Sequence, residues 1–106
     1  MKVYRYVVGE GESRSGFLAA LDDYFDMEQS FILGWEFTKR LYEPEIDMSN
    51  TRSYFTEKGI RSFNKAIRLC KKAYEGKGVK FQKEEHTLEN PNIVYQDKYQ
   101  IVVKVA

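Results

Sequence analysis

The chain has 106 residues, of which 42% are hydrophobic and 31% charged, and its 17 basic and 16 acidic residues give a net charge of +1. This length and composition fit one globular domain, residues 1–106, and argue against a disordered chain or a membrane protein. The single cysteine excludes a disulfide within the chain, and no apolar run is long enough to span a bilayer, so we expect a cytoplasmic protein with no membrane partner.

The charges are divided unevenly along the chain. Residues 1–50 carry ten acidic and five basic residues, a net charge of −5, whereas residues 51–106 carry six acidic and twelve basic residues, a net charge of +6. This division predicts one acidic and one basic surface, unless the two halves interleave in space and neutralise each other.

The first half predicts a strand, a helix and a second strand. Residues 2–8 are rich in Val and Tyr, which favour strands. Residues 17–28 carry apolar residues at helical spacing, which predicts a helix with an acidic exposed side. Residues 30–42 alternate with period two, so we predict a strand, although this segment could also prolong the preceding helix. A loop containing Pro44 is predicted over residues 43–51.

The clearest pattern is that of an amphipathic helix over residues 56–75. Thr56 is the predicted N-cap, and Gly76 is predicted to adopt the left-handed conformation just past the end. Apolar residues recur at spacings of three and four and share one face: Ile60, Phe63, Ala66, Ile67, Cys70, Ala73 and Tyr74. We expect this face to be buried and the opposite, basic face to be exposed.

The remaining segments predict strands. Residues 52–55 predict a short strand, and residues 79–88 predict another with a looser alternation. Residues 93–105 form either one long strand, bulged near Asp97, or a hairpin with its turn at residues 96–98, and we favour the long strand.

This order of elements predicts an α+β fold. We expect a two-layer sandwich, with two helices on one face of a mostly antiparallel sheet of four or five strands. By element order alone it resembles a ferredoxin-like arrangement with an extra C-terminal strand, and that resemblance implies nothing about function.

Catalytic and metal-binding patterns are missing from the sequence. One His and one Cys cannot supply the nitrogen and sulfur ligands of a zinc site. Cys70 lies on the apolar face of the predicted helix, where a cysteine behaves as a small core residue. The acidic residues between positions 22 and 28 lack the spacing of a calcium loop. We therefore expect no enzyme, no metal and no cofactor.

Two sets of residues are candidates for binding a partner. The first, called the basic face below, consists of Lys58, Arg61, Lys65, Arg68 and Lys72. It could contact an acidic protein or nucleic-acid phosphates, although exposed helix faces commonly carry Lys and Arg without binding anything. The second set combines acidic and aromatic residues: Asp22, Asp23, Asp26, Tyr95 and Tyr99. Aromatic residues often anchor interfaces, but most regularly spaced ones are buried, and we expect Trp35 to be in the core.

The leading functional hypothesis is a small non-catalytic cytosolic protein–protein interaction module of the inhibitor or adaptor type. The alternative is a nucleic-acid-binding domain that uses the basic face of helix 56–75, although the net charge of +1 is low for such a domain. We also expect a homodimer, because an uncovered sheet face or an exposed strand edge often pairs with a second copy, and Val94 and Val102 could supply apolar surface.

Overall fold

The structure, a computed structural model, describes residues 1–42, 45, 47 and 49–105. Within these residues the chain has an α+β fold with six strands and four helices. In chain order the elements are β1 (Lys2–Val8), β2 (Ser15–Gly16), α1 (Leu21–Tyr24), α2 (Met27–Arg40), β3 (Thr51–Phe55), α3 (Glu57–Ser62), α4 (Asn64–Gly76), β4 (Phe81–Thr87), β5 (Ile93–Gln96) and β6 (Gln100–Lys104).

All of these strands belong to one antiparallel sheet. β4 pairs with β1 along its whole length, so β2 and β3 share the other edge of β1. β2 pairs with the last two residues of β1, and β3 pairs with β1 at one position, where Tyr4 lies opposite Phe55. β6 and β5 follow β3 in that order. Because β1 and β3 are paired at a single position, they diverge over the rest of their lengths.

The main core lies where the helices pack on the sheet. Its centre is aromatic: Phe63 and Tyr74 are fully buried, and Phe37 stacks on Phe63 with ring centroids 5.1 Å apart. A smaller buried cluster consists of strand residues only: Val3, Tyr54, Ile101 and Val103. Since consecutive strand residues point to opposite faces, Tyr54 and Phe55 place the two clusters on opposite sides of the sheet.

The predicted helix over residues 56–75 is present but divided in two. Phe63, with φ −105° and ψ 14°, separates α3 from α4. The predicted N-cap is confirmed, because the Thr56 hydroxyl accepts a hydrogen bond from the Gly59 amide at 3.0 Å. The predicted C-terminal glycine was wrong, since Gly76 is the last residue of α4 and the left-handed conformation is that of Gly78, at φ +74°.

Residues 27–40 form a helix, and the predicted strand over residues 30–42 was wrong. The Asp26 carboxylate caps α2 by accepting a hydrogen bond from the Gln29 backbone amide at 2.8 Å. Leu33 and Phe37 are buried, whereas Trp35, which was expected in the core, is exposed, as is Phe31. The alternation was misleading because it combined residues from two sides of a helix into one strand face.

The predicted helix over residues 17–28 is shorter than expected. Before α2 begins at Met27, only Leu21–Tyr24 of this segment is α-helical, and the backbone of Phe25 and Asp26 is extended. Residues 43, 44, 46 and 48 of the predicted loop lie outside the described residues.

The C-terminal segment is a hairpin, so the long strand was wrong and the alternative is correct. The Asp97 carboxylate accepts hydrogen bonds from the backbone amides of Tyr99, at 2.8 Å, and Gln100, at 3.0 Å. An Asp that satisfies the amides just after it favours a turn over a continuous strand. With this hairpin and β2 the described sheet has six strands instead of four or five, and four helices replace the predicted two. The two-layer, ferredoxin-like arrangement stays a prediction.

Candidate interaction surfaces

Four large apolar side chains project from α2 into solvent and form what we call the α2 stripe: Met27, Phe31, Ile32 and Trp35. Their exposed fractions are 87%, 63%, 52% and 46%, respectively. The rings of Phe31 and Trp35 lie 5.3 Å apart, centroid to centroid, so they form one continuous surface. Taking about 200 Å² as the full area of a large side chain, the stripe exposes on the order of 500 Å². An apolar patch of this size is in the upper part of the range that monomeric proteins expose, and the largest patch on a protein is often functional.

The α2 stripe carries an acid near one end and a base near the other. At about 100° per residue, Glu28 and Lys39 lie on the same side of the helix as Trp35. Both are exposed, and Lys39 Nζ lies 3.3 Å from Glu36 Oε1 within the same helix. The acid near the N-terminus and the base near the C-terminus also complement the helix dipole.

The basic face is exposed, as the sequence indicated. Lys58 and Arg61 lie on α3, whereas Lys65, Arg68 and Lys72 follow one another on α4. Arg61 pairs with Glu57 at 3.8 Å, but both side chains are more than 70% exposed, so the pair contributes little. In the described part of the chain these three side chains of α4 have no ion pair.

The predicted acidic residues lie on and just after α1. Asp22 and Asp23 are exposed on α1. Asp26 serves as the N-cap of α2, which is a structural role that the sequence interpretation missed.

Tyr95 and Tyr99 are partly buried and engaged with their own chain. The Tyr95 hydroxyl donates to the Asp97 carboxylate at 2.7 Å, which raises the pKa of Tyr95 to about 12. The Tyr95 ring lies against Tyr42, with centroids 5.4 Å apart, and the Tyr99 ring lies against Phe63 at 5.5 Å. These contacts hold the β5–β6 hairpin against the rest of the chain. The apolar patch suggested for dimerisation is also reduced, because Val102 is fully buried and only Val94 is exposed.

Cys70 and His86 both contact other parts of the chain. Cys70 is fully buried, and burial raises the pKa of its thiol to about 12. His86 Nε2 lies 3.1 Å from Glu84 Oε1, and its ring packs on Tyr54. Among the residues that the structure describes, no group of three or more His, Cys, Asp or Glu side chains could hold a metal ion. Among the described residues, every helix is too short or too polar to cross a membrane.

The α2 stripe is the surface that the sequence interpretation missed. The signal was the four-residue spacing of Met27, Phe31 and Trp35, which a helix places on one side. It was hidden by the equally regular spacing of the buried Leu33 and Phe37.

No protein-family model matches the chain, and no curated protein or solved structure is significantly similar to it. Similarity to known proteins therefore gives no indication of its family or activity.

Proposed function

We propose that the chain is a small non-catalytic protein–protein interaction module of the adaptor or inhibitor type, which binds a second copy of itself through the α2 stripe. The observation that carries the proposal is the exposure of four large apolar side chains along one helix. Leaving this surface in water is unfavourable, and covering it would supply the free energy of association.

The charges beside the stripe favour a second copy as the occupant. Two α2 helices packed antiparallel about their midpoint, near Leu33 and Gly34, would place Glu28 opposite the partner's Lys39 at both ends of the contact. The same symmetry would place Trp35 opposite the partner's Ile32. Such a two-fold contact uses one surface twice and is self-complementary in shape and charge.

The size of the stripe predicts a weak dimer. Two copies would bury on the order of 1,000 Å² of apolar surface, which is at the lower end of the range for specific interfaces. We therefore expect a dissociation constant in the micromolar range. The ion pair of Lys39 with Glu36, at 3.3 Å, is exposed and would compete only weakly with the partner's Glu28.

Sedimentation velocity over a concentration series tests the proposal. The wild-type chain should change from monomer to dimer, and Trp35→Ala should weaken dimerisation about 30-fold or more, because a central aromatic side chain is a typical hot spot. Leu69→Ala is the matched control, since Leu69 is 51% exposed but lies on α4, outside the stripe. A chain that stays monomeric at the highest soluble concentration would contradict the proposal.

A charge exchange tests the antiparallel geometry. Glu28→Lys or Lys39→Glu alone should weaken dimerisation about tenfold, because each puts like charges at both ends of the contact. An equal mixture of the two variants should form a heterodimer more stable than either homodimer, since every facing pair is then opposite in sign. If mixing restores no association, the antiparallel packing is wrong.

A nucleic-acid-binding role is the second candidate, favoured by the row of unpaired cations on α4: Lys65, Arg68 and Lys72. Phosphate contacts through these cations would produce binding that weakens steeply with salt. A titration of duplex and single-stranded nucleic acid at low salt, repeated with Arg68→Gln, would reveal it. Absence of binding at low salt rejects this candidate and leaves the α2 proposal untouched.

We also propose a cytosolic location. The single cysteine is buried as a free thiol, as is usual for proteins of a reducing compartment.

A further inference from the structure

A cavity of about 490 Å³ lies where β1 and β3 diverge, and we call it the β1–β3 cavity. Arg5 lines it from β1 and Arg52 from β3. Aromatic side chains line it as well: Tyr6, Phe17, Tyr54 and Phe55. Its volume is in the range of pockets that hold small molecules, and an apolar wall with a few polar groups is typical of them.

The lining of the β1–β3 cavity is positively charged. None of the described residues that line it is acidic, whereas two are arginines. A partly enclosed cavity whose wall carries charges of one sign attracts ligands of the opposite sign.

Arg5 is held in an unusual environment for a guanidinium. Its side chain is only 20% exposed, and its nearest carboxylate oxygen is Glu84 Oε1, at 3.8 Å, which is beyond hydrogen-bond distance. Glu84 is itself shared with Arg14, at 2.9 Å, and with His86, at 3.1 Å. Within the described residues the Arg5 guanidinium donates no hydrogen bond, so its donors remain available on the cavity side.

Arg52 adds a second cation beside the first. Its side chain is exposed and has neither an ion pair nor a hydrogen bond to any residue that the structure describes. The pKa of Arg5 is lowered, first by burial and then by the charge of Arg52, while Glu84 raises it. Two neighbouring guanidinium groups that repel each other would both be stabilised by an anion placed between them.

We propose that the β1–β3 cavity binds a small aromatic compound that bears a phosphate or carboxylate group, with the anionic group held between Arg5 and Arg52. The planar forks of the two guanidinium groups match the oxygens of either anion. The aromatic ring of the ligand would pack on Tyr54, which lies two residues from Arg52 on β3 and therefore on the same face of the strand. This site is separate from the α2 stripe and does not depend on dimerisation.

Titration with four probes distinguishes the parts of the proposal. Phenyl phosphate and benzoate identify which anion is preferred, inorganic phosphate lacks the ring, and benzyl alcohol lacks the charge. Calorimetry should show saturable binding of at least one aromatic anion and none of benzyl alcohol. Amide chemical shifts should change in β1 around Arg5 and in β3 around Arg52. Equal affinity for inorganic phosphate and phenyl phosphate would overturn the aromatic part.

Substitutions test the role of the two arginines. Arg52→Gln should weaken binding about tenfold or more, because it removes a charge-assisted hydrogen bond, and the exposed position of Arg52 leaves the fold intact. Arg5→Lys should also weaken binding, since it keeps the charge but loses the fork. Lys71→Gln, at an exposed cation of α4 outside the basic face, is the matched control and should leave binding unchanged. The proposal is overturned if neither aromatic anion binds saturably, or if Lys71→Gln weakens binding as much as Arg52→Gln.

Discussion

Gly59 is the position where an added methyl group should have the clearest effect on stability. An alanine Cβ there would collide with the carbonyl oxygen of Tyr99 and lie 3.0 Å from its carbonyl carbon and 3.2 Å from its Cα. This neighbour is backbone and cannot rotate away. It is also held in place, because the Thr56 amide donates to the Tyr99 carbonyl at 3.0 Å and the Thr56 hydroxyl donates to the Lys98 carbonyl at 2.6 Å. Gly59→Ala must therefore push α3 away from the β5–β6 hairpin.

The magnitude follows from three opposing contributions. Alanine favours a helix over glycine by about 1 kcal/mol. Overpacking against a fixed neighbour costs about 1–3 kcal/mol, and stretching the Thr56–Tyr99 hydrogen bond costs about 1 kcal/mol more. We expect a net loss of about 2 kcal/mol in the free energy of unfolding, which for a domain of this size lowers Tm by roughly 8 °C.

Urea unfolding followed by far-ultraviolet circular dichroism measures this loss. Two helical glycines are matched controls: an added Cβ at Gly34 would lie 3.5 Å from Leu21 Cδ1, an ordinary contact, and one at Gly76 would meet nothing within 4 Å. Gly34→Ala and Gly76→Ala should therefore leave stability unchanged or raise it by up to about 1 kcal/mol. If Gly59→Ala is as stable as the wild type, the close approach of α3 to the hairpin is wrong.

Three further predictions concern buried or hydrogen-bonded groups. Tyr74→Phe should destabilise the fold by about 1–2 kcal/mol in urea unfolding, because the Tyr74 hydroxyl donates to the Phe17 carbonyl at 2.6 Å and that buried carbonyl would lose its donor. Cys70 should not react with an aromatic disulfide reagent in the native protein at pH 8 but should react in urea, since burial raises its pKa to about 12; rapid native labelling would contradict its burial. Burial would raise the pKa of Asp97, but hydrogen bonds to its carboxylate outweigh this effect and lower it. Its stabilising contribution should therefore be present above the unfolded value near 4 and be lost as the pH falls through the lower folded value, so Asp97→Asn should flatten the acid side of a stability–pH profile.

The elements that the sequence predicted correctly depend on near neighbours along the chain. The helical spacing that ends at Tyr74 and the Thr56 cap involve residues within one or two turns of each other, so the pattern alone indicates the buried and the basic side. The first strand, over residues 2–8, was predicted from strand-forming residue types in the same way.

The sequence was less informative where one pattern allowed two structures. Residues 30–42 satisfy both the period of a strand and that of a helix, and only the cap formed by Asp26 and the packing of Leu33 and Phe37 against other elements separate the two. The exposure of Trp35 could not be anticipated, because a large apolar residue is expected to be buried. Whether Trp35 is covered depends on which other segments of the chain pack against α2, and none of the described segments covers this side.

The amino-acid sequence by itself determined the α+β class, the amphipathic helical pattern of residues 56–75 and the exposed cations of that segment, since each is encoded in the types and the periodicity of neighbouring residues. Only the tertiary structure decided which side of α2 stays uncovered and that Arg5 and Arg52 line one cavity. Those features depend on the pairing and packing of segments far apart in the chain, and many arrangements of such segments are compatible with the same local patterns.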